Sequence, residues 1–242
     1  MTSLFDMPKE PLPAWATRLA VFDLETTGLV LSDARIVTAC ATVIDENGNV
    51  VGEQVEWLAN PGVPIPEVAT AVHGIDNEKA QRDGADAAVV VGEVIAQIQA
   101  FFDEGIPVVA YNAPYDFTIL HYEALRHGLT PLENPAPIVD PLVIDKFLDR
   151  YRGGKRRLEL TASHYGVPLT DAHNATADAV AAGRVAQEIA RKFYKRLSID
   201  AQELHRLQVE WSKDLDLDFE RFMQGKDPSF KTKLGWPLKL ND

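Results

Sequence analysis

A chain of 242 residues with ordinary apolar content can bury a substantial core, as one large domain or as a domain with an appendage. Its formal net charge of −12 argues against nonspecific nucleic-acid binding over the whole surface, and leaves room for a local basic groove or a metal in an acidic cleft. Cys40 is the only cysteine, which excludes an intramolecular disulfide and a cysteine-based zinc site.

Residues 1–16 read as a tail broken by Pro8, Pro11 and Pro13. The N-terminus lacks a signal-peptide pattern and no stretch is long and apolar enough to cross a membrane, so a cytoplasmic location is expected. Strands are expected at about 18–25, 35–45 and 50–59, the last two joined at Asn47-Gly48-Asn49, a strong hairpin signal. A loop over 60–66 leads to a short helix ending at His73-Gly74-Ile75. Asp86 is a candidate N-cap for a helix to about 104, with Gly105 as its stop.

Val108 to Tyr111 is short and apolar, as a buried parallel strand would be. Pro114 opens a helix that Gly128 ends. Ile138-Val139 is another short strand, followed by helices to about 151, at 158–165 and at about 174–196. Over 199–223, Leu204, Leu207, Trp211, Leu215, Phe219 and Phe222 recur every three or four residues, the stripe of an amphipathic helix. A meander followed by alternating helices and strands is an α/β fold with a mixed sheet.

The chemistry concentrates in Val21-Phe22-Asp23-Leu24-Glu25-Thr26-Thr27-Gly28. On a strand, Asp23 and Glu25 point to the same face. Two like charges there repel, and a divalent cation is the natural neutraliser. Asp116 stands one turn into a helix that follows a buried strand, and His173 and Asp178 lie five apart at the start of another. The run Ala175-Thr176-Ala177-Asp178-Ala179 is small enough to let that helix approach its neighbours closely.

Together, Phe22-Asp23-Leu24-Glu25-Thr26-Thr27-Gly28-Leu29, Tyr111-Asn112-Ala113-Pro114-Tyr115-Asp116 and His173-x4-Asp178 resemble the three motifs of the DEDDh exonucleases, within them the DnaQ-like group. Val72-His73-Gly74-Ile75 matches a further motif between the first and second. Tyr115 departs from the usual Phe, and Ile119 from a second aromatic. The resemblance implies a ribonuclease H-like fold with a mixed five-stranded sheet flanked by helices. It divides the chain into a tail (1–16), an exonuclease domain (17–196) and a C-terminal helical extension (197–242).

The same resemblance implies 3′→5′ hydrolysis of DNA with two divalent ions, Mg²⁺ or Mn²⁺, about 3.5–4 Å apart. Asp23, Glu25, Asp116 and Asp178 are its implied metal ligands, and His173 the general base. Thr26, Gly28, Leu29, His73 and Asn112 are its implied contacts to the 3′-terminal nucleotide, with Leu29 stacking on the base. The partners implied are single-stranded or frayed DNA 3′ ends, RNA as runner-up (the RNase T and oligoribonuclease group), and a DNA polymerase or clamp, in replication or repair. A phosphatase of the haloacid-dehalogenase type, with Asp23 as nucleophile in Asp23-x-Glu25-x-Thr27, and a non-catalytic polymerase-associated subunit are the other readings. The basic run Arg150, Arg152, Lys155, Arg156, Arg157 is a candidate phosphate contact.

Overall fold

A computed structural model describes residues 10–169 and 174–240. Strands β1 (Leu19–Thr26), β2 (Ile36–Ile44) and β3 (Val50–Asn60) form the antiparallel meander, turning at Gly48 with φ +76°. Helices α1 (Glu67–His73) and α2 (Asn77–Asp83) follow, then a two-residue strand β4 (Ala85–Asp86) and helix α3 (Ala87–Asp103). Strand β5 (Val108–Val109) leads into α4 (Ala113–Arg126), and β6 (Ile138–Val139) into α5 (Pro141–Leu148). Helices α6 (Leu158–His164), α7 (Ala175–Lys192), α8 (Tyr194–Leu197) and α9 (Ala201–Gln224) complete the order.

The sheet order is β4-β3-β2-β1-β5-β6, with β5 parallel to β1, β6 parallel to β5 and β4 parallel to β3. The mixed α/β architecture agrees with the sequence reading, and the sheet has six strands rather than five. The sixth, β4, is too short to carry a hydrophobic period; Asp86 in it also caps α3, accepting from the amides of Ala88 (2.9 Å) and Val89 (3.3 Å). Helix α2 also escaped the sequence reading, because its seven residues bury only Ala80. Trp15, within the expected tail, is instead buried, and its indole N–H donates to the Leu197 carbonyl (2.9 Å). Among the described residues, no helix is long and apolar enough to cross a membrane.

Two features of this fold set up the site. Residues 19, 21, 23 and 25 of β1 face α7, whereas Phe22 on the other face meets Phe117 of α4 edge-on at 5.7 Å. Helix α7 comes very near the sheet because its inner face is alanine and glycine: a Cβ on Gly183 would lie 2.5 Å from Val21 Cγ1 and 2.6 Å from Ile44 Cδ1. Gly183→Val is therefore expected to lower the unfolding free energy by about 1–3 kcal/mol through overpacking. It should also weaken divalent-cation binding by pushing Asp178 away from β1. Urea unfolding and Mn²⁺ titration check both, and unchanged values would contradict this packing.

Candidate metal centre

Strand β1 runs out between β2 and β5, and its pairing with β2 shifts register between Glu25 and Thr26. That irregularity lies at the carboxyl end of a central strand, where open α/β sheets place their ligands. One carboxylate oxygen from each of Asp23, Glu25 and Asp178 falls within 4.8 Å of the others, all three side chains being half-buried. Asp178 reaches the cluster from the first turn of α7, whose N-cap Asn174 accepts from the amides of Thr176 (3.1 Å) and Ala177 (3.2 Å).

Asp116 approaches from the opposite side. It is buried, only 2 % exposed, and its Oδ1 accepts the Leu24 amide at 3.1 Å, which fixes it against the backbone between Asp23 and Glu25. It lies outside the three-carboxylate cluster yet close enough to raise the pKa of Asp23.

Asp23, Glu25 and Asp116 hold protons unusually tightly. Burial, then the charges of Asp116, Glu25 and Asp178, push the Asp23 carboxyl well above its ordinary value. Burial and Asp178 push Glu25 up to about 7. Burial also raises Asp116, against the lowering effect of the Leu24 amide. So crowded a set of acids takes up either protons or a cation. Its donors are carboxylate oxygens, the set preferred by hard divalent ions, whereas zinc favours nitrogen and sulfur. The residues fit a divalent metal.

The implied nucleotide contacts divide into two groups. Thr26 Oγ1 donates to the Gly28 carbonyl (2.9 Å) and lies 2.5 Å from the Tyr115 hydroxyl, which also donates to the Gly28 carbonyl (3.0 Å). Leu29 follows, 84 % exposed, and no atom lies within 4 Å of where a Gly28 Cβ would be. His73 instead lines a cavity of about 320 Å³ beside Glu25, with Glu56, Trp57, Lys79 and Thr176. Its Nδ1 accepts the Ile75 amide (3.2 Å), and burial holds its imidazole below the ordinary value despite the nearby Thr26 backbone. Asn112 forms the left-handed turn before α4 (φ 68°, ψ 50°) and donates its amide to Asp140 Oδ1 (3.0 Å). His173 lies outside the described residues.

Sequence reasoning missed Glu56, Trp57 and Lys79, which come from β3 and α2 and carry no motif, and the role of the Tyr115 hydroxyl. That hydroxyl ties α4 to the Thr26–Gly28 loop. Tyr115→Phe is expected to raise KM for an oligonucleotide end about fivefold with little change in kcat, the loss of roughly one net hydrogen bond. Steady-state kinetics would show a fall in kcat at constant KM if the hydroxyl served the chemical step instead.

Part of the basic run is committed to ion pairs, while Lys155 and Arg157 are exposed. Arg152 and Arg156 pair with buried Asp145, and Arg150 pairs with Asp218. For Arg152 and Arg156 the candidate phosphate contact gives way to an ion-pair network on Asp145, seven and eleven residues back in the chain, while Arg150 pairs with Asp218 at the surface.

The sequence profile of the exonuclease family RNase T matches residues 20–186. The chain is 28% identical over 191 residues to a PolC-type DNA polymerase III of Pediococcus pentosaceus, covering 79% of this chain and 12% of that protein. It is 33% identical over 167 residues to a DNA polymerase III subunit epsilon-like protein of Rhodobacter capsulatus, covering 66% of this chain and 22% of that one. It thus spans less than a quarter of the length of these relatives. In fold it is similar to Escherichia coli exonuclease I solved with a dT13 oligonucleotide, with TM-score 0.60, 20% identity, and coverage of 73% of this chain and 42% of that one. With the profile running from β1 through most of α7 and enclosing Asp23, Glu25, Asp116 and Asp178, the chain belongs to the exonuclease family.

Proposed function

We propose that the protein is a metal-dependent 3′→5′ exonuclease acting on single-stranded or frayed DNA ends. The observation that carries this reading is the convergence of Asp23, Glu25 and Asp178 within 4.8 Å, with Asp116 anchored behind them on the Leu24 amide. Asp23, Glu25 and Asp178 would hold one divalent ion, Mg²⁺ or Mn²⁺, and Asp116 with Asp23 a second. Bound there, the ions would lower the pKa of the attacking water and neutralise charge at the phosphate and the leaving 3′-oxygen.

The chain's own groups do the rest. His173, adjacent to the α7 N-cap, takes a proton from the attacking water, a task suited to an imidazole whose ordinary pKa lies near neutrality. The Thr26–Gly28 loop, held by Tyr115, presents Leu29 to the terminal base. Water adds across the P–O3′ bond, releasing a 5′-mononucleotide and leaving a new 3′-hydroxyl on the shortened strand.

DNA is favoured over RNA because the relatives are named as DNA polymerases or a polymerase subunit-like protein, and exonuclease I was solved with deoxyoligonucleotides. Those names also motivate a polymerase partner and a role in proofreading. The test supplies 5′-labelled DNA and RNA oligonucleotides with Mg²⁺ or Mn²⁺. Stepwise shortening of DNA from the 3′ end supports the proposal. Preference for RNA would move the assignment to exoribonucleases, and no shortening of either would favour a non-catalytic subunit.

A further inference from the structure

Helix α9 and the arm that follows it to residue 240 lie beyond the family match, yet they reach the α4 end of the candidate metal centre. Strand β6 is the edge of the sheet, and its outer backbone groups are paired by side chains of α9 instead of another strand. The Ile138 amide donates to His205 Nδ1 (3.0 Å), the Asp140 amide to Gln208 Oε1 (2.7 Å), and Gln208 Nε2 donates to the Ile138 carbonyl (2.9 Å). Trp211 of the same helix stacks on Phe147 at 4.6 Å.

Asp140, fully buried at the end of β6, gathers four N–H groups. Its Oδ1 accepts from Asn112 and Leu142 (both 3.0 Å); its Oδ2 accepts from Ala113 (3.0 Å) and from Trp236 Nε1 (3.2 Å). Asn112 and Ala113 are the turn and first residue of α4, so one carboxylate joins that turn to the C-terminal arm. Further along, the Lys239 amide donates to Thr118 Oγ1 (2.9 Å), and Leu238 packs against the core and lines a small cavity with Phe117, Leu120 and His121. Thr118 lies two residues after Asp116, about 200° around the helix, so the arm holds α4 from the face opposite the site. The arm's course requires glycine: Gly235 has φ +126°, and a Cβ there would stand 2.3 Å from the Leu238 carbonyl oxygen.

We infer that the C-terminal arm is a positioning element for Asp116, acting through the Trp236–Asp140 hydrogen bond and the Lys239–Thr118 hydrogen bond to set where α4 begins and how it is rotated. The inference rests on the metal-dependent reading of the site. Asp116 is held in front by the Leu24 amide and from behind by this arm, so slack in the arm reaches the ligand. Outer partners of metal-binding residues commonly change affinity or activity by about 10–100-fold.

The experiment compares the full chain with Trp236→Phe, which keeps an aromatic ring and deletes the N–H, and with Gly235→Ala, which disturbs the arm without altering any side chain it uses. Three quantities are read: amide hydrogen exchange at Asn112 and Ala113 without metal, Mn²⁺ affinity by calorimetry, and kcat and KM on a DNA oligonucleotide. Both variants are expected to exchange those amides about tenfold faster, bind Mn²⁺ about tenfold more weakly and lose about tenfold in kcat, with KM within twofold of wild type. A lower melting temperature with unchanged Mn²⁺ affinity and kcat would make the arm a mere brace and overturn the inference. A wild-type chain that neither binds Mn²⁺ nor shortens DNA would instead overturn the metal reading and this inference with it.

Discussion

Asp23→Asn is expected to slow phosphodiester hydrolysis by at least about a thousandfold, some 4 kcal/mol of barrier, while raising the melting temperature of the metal-free protein. Both effects have one cause. Asp23 feels the charges of Asp116, Glu25 and Asp178, and it carries the charge that a bound cation needs and that the metal-free protein tolerates poorly. Removing that charge takes away a ligand and also relieves repulsion, a stabilisation of about 1–2 kcal/mol or roughly 3–6 °C for a chain of this size.

The pH dependence has a definite sign. A carboxyl whose pKa rises on folding stabilises the fold below its unfolded pKa and loses that contribution as pH rises through the folded value. For Glu25 the window runs from 4.5 to about 7. Metal-free protein should therefore lose this contribution over that interval, and Mg²⁺ or Mn²⁺ added near pH 6.5 should release protons. Melting curves from pH 4.5 to 8 with chelator and with Mn²⁺ check both effects. A melting temperature for Asp23→Asn at or below wild type in chelator would contradict the repulsion.

Asp145→Ala is expected to be the most damaging single change away from the metal centre, at about 3–5 kcal/mol, because it strands two buried guanidinium groups. Asp145 is fully buried and accepts from Arg152 Nη2 (2.7 Å) and Nε (3.2 Å), from Tyr165 Oη (2.8 Å) and from Arg156 Nη1. Burial pushes its pKa up, and the hydrogen bonds from Arg152, Tyr165 and Arg156 outweigh that and hold it below the ordinary value. Its contribution is therefore present above pH 3.8 and lost as pH falls through the folded value. The network joins α5, the 149–157 loop and α6, and lies apart from the clustered acids. Hydrolysis by the folded fraction of Asp145→Ala at low temperature should thus stay within a few-fold of wild type. Chemical denaturation beside activity assays separates the two effects. A loss of activity in fully folded protein would reassign the arginines to substrate.

The basic run shows where sequence reasoning failed. Arg152 and Arg156 read as phosphate contacts because nothing nearby in sequence announces that Asp145 will take both. The C-terminal helix shows the same gap in another form. Its apolar stripe was legible, and Leu204 and Trp211 are buried as that period requires. His205 and Gln208, which pair with the β6 edge, are polar residues in an amphipathic helix and carry no periodic mark.

Asp23, Glu25, Asp116 and Asp178 were legible for a local reason. A two-residue period puts the first pair on one face of a strand, an acid belongs in the first turn of a helix, and a run of small residues announces close approach. Those rules act over a few residues, and the chain alone determined them. The tertiary structure decided what meets what: Asp178 brought to Asp23 and Glu25 by the contact of α7 at Gly183, Asp116 seated on the Leu24 amide, two arginines withdrawn into an ion-pair network, and an arm from the far end of the chain set behind α4. The arginines meet Asp145 from only seven and eleven residues away, and the others depend on polar groups paired across more than fifty residues or on the fit of facing side chains. Such pairings leave no local pattern, since their stabilisation exists only once the chain has closed.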